Sequence, residues 1–284
     1  MTITDLDEAI LDPVALAPDV PELVPDESDG QLRSVSIAMG VLGCFETEAE
    51  LGATRVAREL GVAKSTACRM LAALAASGML ERTGSGRYRL GLRLFEIGQL
   101  AVDRLMLREL ALPVLGELRD VLRETAQLAV PVGADVLYVE RLESTGVGTI
   151  FRTELYRRGP GHSSSAGKAM AAFNPTMERA ILSRGFTRRT PFTIVDPARY
   201  RQVLRQVRVD GFAASREEHT MGMSSVAAPI VVLSKDRTGA DRKVAVAAIS
   251  VVGATSRVLG TRKIAVVQSV RRAAARVSEA LARS

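Results

Sequence analysis

Between Gly61 and Leu80 the chain reads GVAKSTACRMLAALAASGML, and its hydrogen-bonding side chains crowd one end: Lys64, Ser65, Thr66 and Arg69 precede a run of alanine, leucine and methionine. An arginine offers two parallel N–H donors that match guanine O6 and N7. Serine and threonine hydroxyls reach bases or phosphate, and a lysine is a point charge for phosphate. On a helix whose other outward positions are slim alanines, this set suits close approach to a macromolecule and the reading of base edges. The alternative is an ordinary amphipathic helix whose polar face is only solvated.

A second stretch, GHSSSAGKA (161–169), invites enzymatic readings and does not support them. A phosphate loop needs G-x-x-x-x-G-K-[ST], whereas five residues separate Gly161 from Gly167 and Ala169 stands where the magnesium-binding hydroxyl belongs. A serine nucleophile needs a sharp turn such as G-x-S-x-G and an oriented histidine. That turn is absent, and His162 and His219 are the only two histidines in the chain. With Glu217 or Glu218 they make a conceivable metal set, but the spacing fits no zinc motif, and structural roles are expected for both, as loop hydrogen bonding is for Lys168. No catalytic residue, metal or resident cofactor is expected. What the stretch does offer is the start of a helix near Ser164, Ser165 and Ala166, whose first N–H groups lack intrahelical acceptors and favour a carboxylate in front of them.

These groups need elements to hold them. VSIAMGVLGCF (35–45) has helical spacing, and TRVAREL (54–60) gives a short helix with Thr54 as N-cap, ended by Gly61. After the GVAK turn a third helix starts at Lys64 or Ser65, turns Ala67, Met70, Leu71 and Leu74 inward, and stops at Gly78. MLERTGSGRYRL then forms a hairpin around Gly84-Ser85-Gly86 with Arg82, Arg87 and Arg89 close by. Helix, helix, turn, helix, basic hairpin is the order of a winged helix-turn-helix, which puts the front of its last helix into the major groove. Arg87 and Tyr88 of the hairpin join Lys64, Ser65, Thr66 and Arg69 as candidate DNA contacts.

The second half alternates strand and helix signals. AQLAVPVG and DVLYVERLE flank a Gly-Ala-Asp turn, TIFRTELY (149–156) is a further strand, and a helix runs through AGKAMAAF. PARYRQVLRQVRVDG is helical, SVAAPIVVL and KVAVAAISVV are apolar strands, and IAVVQSVRRAAARVSEALAR closes as a long amphipathic helix. The expected class is α+β in two domains, the second an antiparallel sheet covered by helices.

The 284 residues carry a formal charge of +6, and residues 1–30 hold nine acids and no Lys or Arg, so the rest of the chain is strongly basic. That surplus favours polyanionic partners, nucleic acid first. The acidic, Pro-containing leader is expected to be a disordered tail. No apolar run approaches bilayer length and the leader opens with acids rather than a secretory signal, so a cytoplasmic protein without membrane contact is expected. Cys44 and Cys68 are expected to be small buried hydrophobes.

LRSVSIAMGVL, TRVARELGVAKSTACRMLAALAASGML and GRYRLGLRLFEIG, followed by GPGHSSSAGKAM, VDGFAASREEHTMGMSSVAAPI and VAVAAISVVG, resemble in order the motifs of the IclR family of bacterial transcriptional regulators. The resemblance implies residues 31–90 as a winged helix-turn-helix domain, 91–109 as a linker helix and 110–284 as a GAF-like effector-binding domain, with the acidic tail 1–30 outside it. It implies a DNA-binding regulator, commonly a repressor, whose hold on a palindromic operator is altered by a small molecule, and a homodimer or tetramer. Carried over by position, it implicates Ser165, Ala166, Ser215, Ser225, Ser250 and Val252 in the effector pocket. Val252 falls where several members place a serine and Ser215 where an aspartate is common. An effector less polar than a small keto acid, an aromatic or acyl carboxylate, is therefore expected. The rival readings are a constitutive DNA-architectural protein without a ligand and an enzyme with a sensor-like domain.

Overall fold

The computed structural model describes residues 30–103, 106–144, 158–235 and 241–283. The expected acidic tail, apart from Gly30, and the expected strand TIFRTELY lie outside the described residues. The chain divides at residues 104–105 into two compact units.

The first unit runs α1 (Gly30–Gly43), a 3-10 turn (Cys44–Glu46), α2 (Ala53–Leu60), α3 (Lys64–Ala76), β1 (Leu80–Arg82), β2 (Tyr88–Leu90) and α4 (Leu92–Asp103). Gly61 closes α2 at φ 63°, its N–H on the Ala57 carbonyl, a left-handed cap that a side chain would strain. The start of α2 corrects the expectation for Thr54: the helix opens one residue earlier, behind Gly52, and no side chain caps it. In α3, Ala67 and Leu71 are fully buried and Met70 and Leu74 half-buried, packed with Val41, Phe45, Leu51, Val56 and Leu80 in one core. The hairpin pairs Leu80 with Leu90 and Arg82 with Tyr88, and Leu51 adds a further antiparallel bridge to Tyr88.

The second unit begins with α5 (Met106–Leu122) and contains an antiparallel six-stranded sheet in the order β5-β4-β3-β8-β7-β6. Its strands are β3 (Thr125–Val132), β4 (Asp135–Leu142), β5 (Arg158–Pro160), β6 (Ala213–Arg216), β7 (Met223–Lys235) and β8 (Asp241–Ala254). Its other helices are α6 (Ser165–Phe173), α7 (Pro175–Arg184), α8 (Pro197–Asp210), the single turn α9 (Thr255–Val258) and α10 (Lys263–Leu281).

Alternation along the strands builds two cores. Ala126, Leu128, Val226, Ala228, Ile249 and Val251 face α5 and α10, while Ala129, Ala227, Ala245 and Ala248 face α6, α7 and α8. Because helices cover both faces, the central strands are apolar on both, which is why VAVAAISVV shows no polar alternation. The α6 side is lined with alanine, and α6 itself is buried from Ser165 to Ala172. Gly167 packs so tightly that a Cβ there would lie 2.1 Å from the Gly161 carbonyl oxygen.

Candidate functional site

Two groups of residues are brought together, one in each unit. On α3, Lys64, Ser65 and Arg69 are exposed and Thr66 half-buried, all off the apolar stripe. The helix begins behind Ala63 with no side-chain cap and no acid in its first turn. A lysine at that end works against the helix dipole, so the front of α3 is an electropositive terminus that an anion would stabilise. Among the described residues none pairs with the side chain of Lys64 or Arg69, which leaves both donors free for a partner.

The hairpin differs. Arg87 donates to the Glu50 carbonyl and lies 3.9 Å from Glu48, and Arg89 pairs with Glu81 at 2.8 Å. Tyr88 is half-buried against the core, and its backbone exchanges hydrogen bonds with Leu51 at 2.9 and 2.8 Å. Arg87 and Tyr88 thus fix the hairpin to the loop before α2 with the same groups proposed to meet DNA. Cys68 corrects an expectation: Cys44 is buried but Cys68 is exposed, because it lies one helical turn after Lys64 and off the stripe that Ala67 and Leu71 bury.

In the second unit the register aligns the implicated residues in two rows on the α6 side of the sheet. The first row runs Ser215, Ser225, Val252 and Thr125 across β6, β7, β8 and β3; the second runs Ala213, Ala227, Ser250, Gln127 and Arg141, ending on β4. Over them sits the start of α6. Ser164 caps it by accepting from the Gly167 N–H at 3.0 Å, Ser165 donates to the Ser225 hydroxyl at 2.8 Å, and Ser215 donates to the Ser163 carbonyl at 2.9 Å. Ala166 is fully buried in the apolar cluster beneath. Ser250 donates to Gln127 Oε1 at 3.5 Å. Gln127 and Arg141 are the members of the second row that the motifs do not reveal. Tyr138, on the same face of β4 as Arg141, has its phenol pushed up to about 12 by burial, opposed by a hydrogen bond with Ser164 and the charge of Arg141.

Each histidine is hydrogen-bonded close to these rows. His162 Nε2 meets the Thr187 carbonyl at 3.0 Å and its ring stands edge-on to Phe186, while His219 Nδ1 meets the Ser163 hydroxyl at 3.3 Å. Lys168 pairs with Glu218 at 2.5 Å, both buried. Burial is the main cause pushing the lysine pKa down and the glutamate up. Their mutual attraction opposes both shifts, and the contact holds α6 to the turn after β6. Thr190 and Thr193 donate to the backbone carbonyls of that turn at Glu217 and Glu218, each at 2.7 Å, with Glu217 held at φ 56°. Among the described residues no three His, Cys, Asp or Glu side chains converge on a common point.

The chain matches the family model described as IclR helix-turn-helix domain over residues 34–84 and that described as Bacterial transcriptional regulator IclR C-terminal over residues 99–279. It is 32% identical to the HTH-type transcriptional regulator BhcR of Paracoccus denitrificans, covering 90% of each chain, and 29% identical to the HTH-type transcriptional regulator KipR of Bacillus subtilis over 87% of this chain and 96% of that one. An IclR transcriptional regulator from Alicyclobacillus acidocaldarius superposes with a TM-score of 0.73 at 27% identity, over 87% of this chain and 97% of that one. An IclR homologue from Microbacterium hydrocarbonoxydans, solved with 4-hydroxybenzoate, superposes with a TM-score of 0.72 at 28% identity, over 87% and 98%.

Proposed function

The chain belongs to the IclR family and is a DNA-binding transcriptional regulator, and from that premise we propose that it represses its target genes by holding a palindromic operator through α3 until a small carboxylate binds the rows beneath α6. The observation that carries the DNA half is the front of α3, uncapped and cationic, with Arg69 and Lys64 exposed. Arg69 pairs with a guanine, Ser65 and Thr66 contact bases or phosphate, and Lys64, Arg87 and Tyr88 hold the backbone.

The effector half rests on Ser165, Ala166, Ser215, Ser225, Ser250 and Val252, which border the start of α6. Ser215 and Ser225 are already engaged in hydrogen bonds and Val252 is apolar, so an aromatic or acyl carboxylate suits the site better than a small keto acid. The 4-hydroxybenzoate of the Microbacterium homologue is of that class. The ligand shifts DNA occupancy only through unequal affinity for two states of the protein.

A palindrome calls for two copies. On α4, Leu92 and Phe95 are 67% and 59% exposed at i, i+3 spacing, an apolar edge for a second copy to cover. Residues 31–90 then act as the reading head, 91–109 as the linker and 110–284 as the sensor, in a dimer or pair of dimers in the cytoplasm.

The test is selection of genomic fragments by the purified protein at about physiological salt, where non-specific binding is suppressed, with and without aromatic and acyl carboxylates. The expected result is enrichment of a palindrome beside an operon, released by one of the acids. Tightening on ligand would make the protein an activator or co-repressor-dependent. Binding indifferent to every acid would leave an architectural DNA-binding protein.

A further inference from the structure

Gln127 and Arg141 lie outside the residues that the family motifs implicate, yet they finish the second row. Gln127 is 3% exposed, and its Oε1 is met by the Ser250 hydroxyl. Its Nε2 is buried with no hydrogen-bond partner among the described residues. A buried donor left so is costly, on the order of 1–3 kcal/mol, and a bound acceptor would relieve it.

Its cross-strand neighbour is Arg141, whose side chain is only 4% exposed. Arginine cannot discharge itself by losing a proton, so this is a fixed positive charge held away from water. Its Nε lies 3.7 Å from the carboxylate of Glu143, a side chain that is 64% exposed. The face is set by alternation: Glu140 and Leu142 turn toward α5, where Glu140 meets Arg108 at 2.9 Å, so Arg141 turns the other way, with Tyr138 and Gln127. A guanidinium and an unsatisfied amide thus stand on neighbouring strands at one end of the row, and both donate.

Polarity falls along the same row, from guanidinium through amide and hydroxyl to the methyl groups of Ala227 and Ala213. Resting on the reading of this face as the effector site, we propose that Arg141 and Gln127 bind the effector's carboxylate, with its apolar body lying toward Ala227 and Val252. Adjacent strands are about 4.8 Å apart, so Gln127 to Ala227 spans roughly 10 Å, room for one aromatic ring or a short acyl chain. Discrimination then follows from charge: the guanidinium attracts a carboxylate more strongly than a neutral amide of the same body.

The chain has no tryptophan, so binding to the full-length protein is followed by calorimetry. The probes are benzoate, 4-hydroxybenzoate and hexanoate against the corresponding amides. The expected result is binding of at least one acid and weaker binding of its amide. Arg141→Met and Gln127→Leu should each lower affinity for the acid by roughly 10- to 100-fold, while leaving the amide within a few-fold and so erasing the preference. Arg141→Lys should retain part of the preference, and with Gln127→Leu it carries the test should Arg141→Met fail to fold. An acid bound equally well by wild type and all three variants, but weakened by Ser165→Ala, would overturn this assignment and leave the effector site standing. Wild-type protein that binds neither acids nor amides would overturn both.

Discussion

Arg69 and Lys64 are both exposed on α3 and should fail differently when removed. If Arg69 reads a guanine, Arg69→Ala costs roughly 1–3 kcal/mol on the operator and little on unrelated DNA. Lys64→Ala should weaken binding to all sequences and flatten its salt dependence. Fluorescence anisotropy on both DNAs at several salt concentrations separates the two, and small equal losses would mean a solvated face. A different residue-scale effect concerns acid. Burial is the largest cause holding His162 and His219 below the ordinary imidazole value of 6.5; the cations Arg184, Arg189 and Lys168 add to it for His162, and Arg189 with His162 adds to it for His219. A base depressed in the folded state takes up its proton more readily when unfolded, so the stability it contributes is complete above about pH 6.5. As pH falls from there toward the folded pKa values that stability is lost, by at most about 1.4 kcal/mol per pH unit for each histidine. Urea denaturation across this range should show the slope, and the double variant His162→Gln/His219→Gln should flatten it. The exposed polar end of α3 is legible because helical spacing is local, whereas Gln127 and Arg141 line up with Ser250 only through strand register, Ser250 being bonded to a residue 123 positions away.

At the scale of elements, the helices with strong periodicity, the two hairpins and the long closing helix followed from the sequence alone. The miss at Thr54 shows where local rules lose: packing around Val56 and the bridge at Leu51 set where the chain enters α2, and Gly52 serves although a threonine stood ready. Helix α7 carries a readable start signal in the Asn174-Pro175 pair, Asn174 accepting from the Met177 N–H at 3.0 Å with Pro175 in the first turn. Strands β5 and β6 are three and four residues long and carry too little alternation to be recognised. The most confined element is α6. Gly167→Ala would push a methyl group into the Gly161 backbone, which has no flexible side-chain end to yield. A loss of about 1–3 kcal/mol or more is expected in denaturant titrations, together with weaker effector binding, since the start of α6 must move.

The whole molecule joins a helix-turn-helix unit to a second unit built on a six-stranded sheet. One α3 would cover few base pairs, so under the proposed function two copies act together on an operator and effective concentration supplies the gain. A DNA probe with one half-site scrambled should bind at least about 100-fold more weakly than the intact palindrome; equal binding would mean that each copy acts alone. The exposure of Cys68 adds something practical. With Cys44 enclosed, the folded chain offers a maleimide dye one accessible thiol, positioned between Ser65 and Arg69 on the helix proposed to meet DNA. The regulator therefore carries its own reporter: labelling should stop at one dye per chain, operator DNA should slow it, and a releasing effector should restore its rate.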